Sequence, residues 1–266
     1  MLGLRLKYDL KSLFRLVWPL YVVGIALPIG IRVFGWVQNL PIFDSFVFEM
    51  ISVMYMGIYV TSLVALVIWP IVVTVRDFFN SMLKDEGYLT NTLPVSRNIL
   101  FISKEVAGLM VFCLSGLILV LSLWILSMDF PVQVYFSGLP LQDGHAIGVI
   151  ILMVLMILAS FYQSITMIFL SMMLGQMHRS NKGLFSVVYY FLINFGMQVL
   201  ALILLMIFVY CVDHFNMDQG FTLYFTSYEW LVAMVMFGAL TVYNLVWGGI
   251  FHGIGVWISN HKLNLE

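Results

Sequence analysis

The chain has 266 residues, of which 62% are hydrophobic and 9% charged. A soluble domain carries about a quarter charged residues, and one soluble core of this length could not absorb so much apolar surface, so the expected solvent is a bilayer. Twelve basic residues against thirteen acidic ones, a formal charge of −1, argue against a strongly basic nucleic-acid binder. Cys113 and Cys211 both sit inside apolar runs, which leaves no disulfide framework and no zinc-ligand spacing.

From the N-terminus, Leu6, Leu10, Leu13, Phe14 and Val17 share one helical side, while Lys7, Lys11 and Arg15 follow one another at i, i+4 spacing on another. The pattern predicts an amphipathic helix over 1–15 lying in the membrane interface, with a plain basic flank of the first span as the alternative. A spanning helix needs about 20 mostly apolar residues. Six segments qualify: about Leu16 to Val37, Val47 to Val75, Glu105 to Ser127, Ala146 to Leu174, Leu184 to Val212 and Trp230 to Ser259. The expected fold is an all-α membrane protein with a six-helix transmembrane domain over 16–259 and a short tail over 260–266.

With the N-terminus inside, eleven of the twelve Lys and Arg residues fall on the inner side and Arg32 alone on the outer. That asymmetry predicts cytosolic termini. Arg32 and Glu49 lie near the outer ends of the first two spans, where a structural ion pair is one reading and a gate or substrate contact the other. The outer segments 128–145 and 213–229 are rich in aromatics, as an interfacial belt or an outer gate would be. Gly249 and Gly253 form a small-xxx-small pair in the sixth span and predict a close helix approach there.

No catalytic pattern is present. There is no Gly-Lys dipeptide and so no P-loop, no His followed by Glu, and no Gly-x-Ser-x-Gly elbow. The five histidines are scattered, and no charged residue lies at mid-depth in spans three to six. An ion-coupled carrier normally needs such a group. The expectation is therefore a protein that is not an enzyme and holds no cofactor of its own.

The polar exception is the inner segment 76–104, long for a connection between helices. Phe78, Phe79, Met82 and Leu83 alternate there with Asp77, Lys84, Asp85 and Glu86, as in a short amphipathic surface helix, and Gly87 offers a stop. Either a solvated loop or a helix that fits a groove on a soluble partner accounts for this. Phe79 through Leu83, Asp85-Glu86-Gly87-Tyr88-Leu89-Thr90, Leu93-Pro94-Val95-Ser96-Arg97 and the closing Ser103-Lys104 resemble the membrane subunits of ABC-2-type ABC exporters. The tail Lys262 to Glu266 is similar as well, and the likeness covers the layout of the whole chain. Within that family the nearest likeness is to bacterial permeases that export amphipathic peptide toxins such as phenol-soluble modulins.

The resemblance implies a permease of the plasma membrane that pairs with a separate ATPase subunit, which binds ATP and Mg. It also implies a second permease, either the same chain or a sister, and an amphipathic peptide or hydrophobic small molecule as cargo. The loop carrying Asp85, Glu86, Gly87, Tyr88, Leu93, Pro94 and Arg97 would sit on the ATPase, and His178, Arg179 and Lys182 of the second inner loop would make a smaller contact. A non-transporting immunity or scaffold subunit that recruits an ATPase, or an ion-coupled carrier, are the alternatives.

Overall fold

The computed structural model of the chain describes residues 2–38, 46–83, 96–127, 144–178, 180–214 and 229–261. The described residues form six long helices and no strand: α1 (Leu2–Gln38), α2 (Phe46–Phe78), α3 (Arg97–Ser127), α4 (Gly144–Gln176), α5 (Lys182–His214) and α6 (Glu229–His261). Each is long and apolar enough to cross a membrane, so this is an all-α, multi-pass membrane protein. At 1.5 Å rise per residue, a helix of 33 residues such as α2 or α4 outreaches a hydrocarbon core of about 30 Å. Helix is the only open-ended solution in hydrocarbon, because it satisfies each backbone donor and acceptor within its own segment.

Two differences from the sequence reading concern helix ends. A single helix covers both the predicted interfacial piece and the first span, running 37 residues from Leu2 to Gln38. The third helix begins at Arg97, eight residues before the apolar segment proposed from Glu105, with the Ser96 carbonyl accepting from the amides of Ile99 and Leu100. The segment 76–104 is correspondingly shorter as a connection. Its first residues continue α2 and then a π-helical turn over Phe79–Leu83, and its last residues belong to α3.

The chain divides into two compact units, one built from α1 to α3 and the other from α4 to α6. In the first unit Leu13, Val17 and Tyr21 of α1, Leu66 and Val73 of α2, and Ala107 and Val111 of α3 form the core. The apolar side of the N-terminal residues thus packs on protein at Leu6, Leu10, Leu13 and Val17, whereas Phe14 remains exposed. Two buried tyrosines reach α3: Tyr21 Oη donates to the Val111 carbonyl at 3.1 Å, and Ser122 Oγ donates to Tyr59 Oη at 3.1 Å. Gly24 lets α1 approach closely, since a Cβ there would come within 2.9 Å of a Leu66 methyl.

In the second unit α4 supplies most of the buried surface, including Ala159, Ile165, Phe169, Leu170 and Met173, and α6 adds Phe251 and Ile258. Asn244 Nδ2 of α6 donates to Ser160 Oγ of α4 at 2.7 Å. The close approach of α6 falls at Gly248, where a Cβ would meet the Tyr162 ring at 2.5 Å, and not at Gly249 or Gly253, where a Cβ would meet nothing within 4 Å. The predicted small-xxx-small pair therefore faces away from its own unit. Other hydroxyls in the spans, such as Thr61, Ser62, Thr166 and Thr241, donate to carbonyls of their own helix and do not bridge helices. In a medium without water the carbonyl one turn back is the nearest acceptor.

Candidate functional site

The strongest polar feature of the first unit is buried charge. Lys104 of α3 has 4% of its side chain exposed and places Nζ 2.8 Å from Asp9 Oδ1 of α1 and 2.5 Å from Asp77 Oδ2 of α2. Ser103 Oγ donates to the other oxygen of Asp9 at 2.6 Å. Arg5, one turn before Asp9, adds a looser contact at 3.9 Å, and Ser12 Oγ donates to Asp77 Oδ1 at 3.4 Å. Two carboxylates and one ammonium therefore share a site at which all three helices of the unit meet.

Burying an ammonium is unfavourable unless it is paired and its donors are used. Lys104 meets that condition with two carboxylates, and Asp9 meets it with Lys104, Ser103 and Arg5. The local backbone explains the register. On α3 the buried positions Leu100, Lys104, Ala107 and Val111 recur every three or four residues, and on α1 Asp9, Leu13 and Val17 do the same. Each charge takes a core position on its helix. Asp77 then leads into the π-helical turn, where Ser81 Oγ donates to the Asp77 carbonyl at 2.7 Å. Single π turns inside α-helices recur at functional positions.

The apolar side of that turn is occupied. Phe78, Met82 and Leu83 are buried, and the Phe78 ring meets Phe101 of α3 edge-on at 5.5 Å. These residues therefore pack within the unit, which departs from the expectation of a surface helix with a free apolar side. They brace the base of the segment that follows.

Of the residues proposed to meet an ATPase, Asp85, Glu86, Gly87, Tyr88, Leu93 and Pro94 lie outside the described residues, as does Arg179. Arg97 opens α3, half-buried. The structure places His178 against α5: its ring stacks on Phe185 at 3.8 Å and 11°, and Nε2 lies 3.0 Å from Tyr189 Oη. Lys182, the first residue of α5, is exposed. Arg32 is half-buried on α1 and Glu49 is exposed on α2.

No family model, no curated protein and no solved structure matches the chain. Among the described residues no group of three or more His, Cys, Asp and Glu side chains is arranged to hold a metal ion. The cluster ties three helices together. It joins Asp77, in the last turn of α2, to Lys104, about two turns into α3, and joins both to α1.

Sequence reasoning named Asp77 and Lys104 as flanks of a loop and passed over Asp9. A signal was available. Asp9, Asp77 and Lys104 each interrupt an otherwise apolar helical stripe, and their signs are complementary.

Proposed function

We propose that this chain is the membrane permease subunit of an ATP-driven exporter of the ABC-2 type, in the bacterial plasma membrane with both termini in the cytosol. Its cargo is an amphipathic peptide or a hydrophobic small molecule, and a separate ATPase chain supplies ATP hydrolysis. The observation that carries the reading is the Asp77–Lys104 ion pair, which ties together the two ends of the segment bearing Asp85 to Arg97. A displacement of that segment by a soluble partner would pass to α2 and α3 at once, and to α1 through Asp9.

Nucleotide can shift the transmembrane helices only through contacts that differ between two states. A polar segment whose base is locked to three helices supplies a lever for such contacts. An ion-coupled carrier is less well supported, because no charged residue lies at mid-depth in spans three to six.

Co-expression with a P-loop ATPase encoded beside this gene tests the reading. The expected result is a stable complex whose hydrolysis rises when the correct cargo is added. Uptake of cargo into inverted vesicles then separates a permease from a scaffold or immunity subunit. A complex that hydrolyses ATP without moving any cargo would support the scaffold, and no complex at all would overturn both.

A further inference from the structure

We propose that the side of α1 running from Tyr8 to Leu27 binds an anionic phospholipid, with its phosphate held by Lys11 and Arg15 and one acyl chain lying in the groove between α1 and α2. The inference requires the membrane fold and is independent of any ATPase partner.

A cavity of about 580 Å³ opens on the first turns of α1, lined by Tyr8, Lys11, Ser12, Arg15 and Leu16. Lys7, Lys11 and Arg15 are exposed, follow one another every four residues, and form no ion pair among the described residues. The acids nearest in sequence and fold are already committed. Asp9 and Asp77 both turn inward to Lys104. Like charges one helical turn apart repel, and no described carboxylate pairs with this basic edge, so an external anion would relieve it. The donors suit a phosphate: a guanidinium fork at Arg15, an ammonium at Lys11 and a phenol at Tyr8. The Ser12 hydroxyl is engaged with Asp77 and helps to set the wall of the cavity.

A second cavity of about 580 Å³ lies farther along, lined by Val23 and Leu27 of α1 and by Met54, Gly57 and Thr61 of α2. Its hydroxyls offer no free donor. Thr61 Oγ1 donates to the Gly57 carbonyl at 2.9 Å and Ser62 Oγ to the Tyr59 carbonyl at 2.7 Å. Such a groove takes an apolar guest. The two cavities share one side of α1, because Tyr8, Ser12, Leu16, Pro19, Val23 and Leu27 succeed each other by three or four residues, and Pro19 between them is exposed. Arg15 and Leu27 are separated by about 18 Å along the helix, against a leaflet of about 15 Å, so one lipid spans both sites. Trp69, half-exposed, donates its indole N–H to the Leu16 carbonyl at 3.1 Å, and Trp side chains favour the level where headgroup meets hydrocarbon.

The test is native mass spectrometry of the full-length chain in detergent, titrated with phosphatidylglycerol or phosphatidylcholine. Preferential retention of one phosphatidylglycerol is expected, and its preference should fall about tenfold in K11Q/R15Q. The K7Q/R76Q variant removes equal charge outside the cavity and should keep the preference. Gly57→Leu, which fills the apolar groove where a Cβ meets nothing, should weaken the diacyl lipid. Equal retention of both lipids would overturn the proposal, as would an equal loss in the two charge variants. Competition by glycerol 3-phosphate as strong as that by the lipid would also overturn it, since the site would then be one for a soluble phosphate. Circular dichroism confirms that each variant is folded.

Discussion

Lys104 and Asp77 stand on either side of the segment 84–95 in sequence and meet at 2.5 Å in the fold. The same ammonium reaches Asp9 at 2.8 Å, so one side chain holds the near ends of three helices. Its worth is measured by what its loss leaves behind. Lys104→Met leaves two carboxylates in a buried site, and removing one partner of a buried pair costs about 3–5 kcal/mol. The expected outcome is a large drop in the thermal midpoint of the purified protein in detergent. An unchanged midpoint would show that the pair contributes nothing to stability.

Neutralising the whole cluster should behave differently. D9N/D77N/K104M removes both unpaired charges together with their partner, and replacing a buried ion pair by neutral groups of similar volume is often close to neutral. The triple variant should therefore be more stable than Lys104→Met alone. A triple variant weaker than the single one would mean that the carboxylates act through contacts other than Lys104.

How much of this was legible in the sequence depends on which force decides each feature. Six spans were readable because length and hydropathy alone determine them, as at Trp230–His261. The start of α3 was placed too late because hydropathy falls at Ser103-Lys104, while the backbone stays helical through these residues and buries them. A charge on a core stripe reads as a boundary until its partners on other helices are known. Gly249 and Gly253 were read as a packing motif with its neighbour left open, and within this chain Tyr162 of α4 selects Gly248, one residue away and on a different side of α6. His178 was named only for a smaller contact implied by the resemblance, and its ring stacking with Phe185 depends on a turn geometry that composition does not encode.

That turn carries the next prediction. Gly175 is buried at the end of α4, and a Cβ on it would meet the Lys182 carbonyl oxygen at 2.8 Å and the Ser186 amide nitrogen at 2.6 Å. Both are backbone atoms of α5 and cannot swing aside. Gly175→Ala should destabilise by about 1–3 kcal/mol, the usual range for overpacking. Gly249→Ala, where a Cβ meets nothing, is the matched control and should leave the midpoint unchanged. Equal effects of the two would argue that helix propensity and not the close approach governs Gly175.

Asn181 sits in the same turn at φ 51, and its carbonyl accepts the Phe185 amide at 3.1 Å to open α5. Asn is among the few residues that enter this left-handed region readily, and at a helix start its replacement by Gly changes stability by only a few tenths of a kcal/mol. A β-branched side chain there is disfavoured by about 1–2 kcal/mol. Asn181→Gly should therefore melt with the parent protein and Asn181→Val several degrees below it. Identical melting of the two would show that the turn adopts another backbone conformation.

The proposed coupling role separates from all of these by its readout. Glu86→Lys with Leu93→Asp alters the polar segment and leaves Asp9, Asp77 and Lys104 in place. The expected outcome is a protein with the parent's thermal midpoint whose ATPase partner binds weakly or hydrolyses without cargo movement. Lys104→Met should show the reverse order of effects, losing stability first and transport only as a consequence. The double variant removes contacts that differ between two transport states, whereas the Lys104 variant removes contacts that hold the unit together in both. Measuring the midpoint and vesicle export in parallel distinguishes them. Full export by a Glu86→Lys, Leu93→Asp chain that expresses and assembles would sink the assignment of this segment as the point where hydrolysis is transmitted.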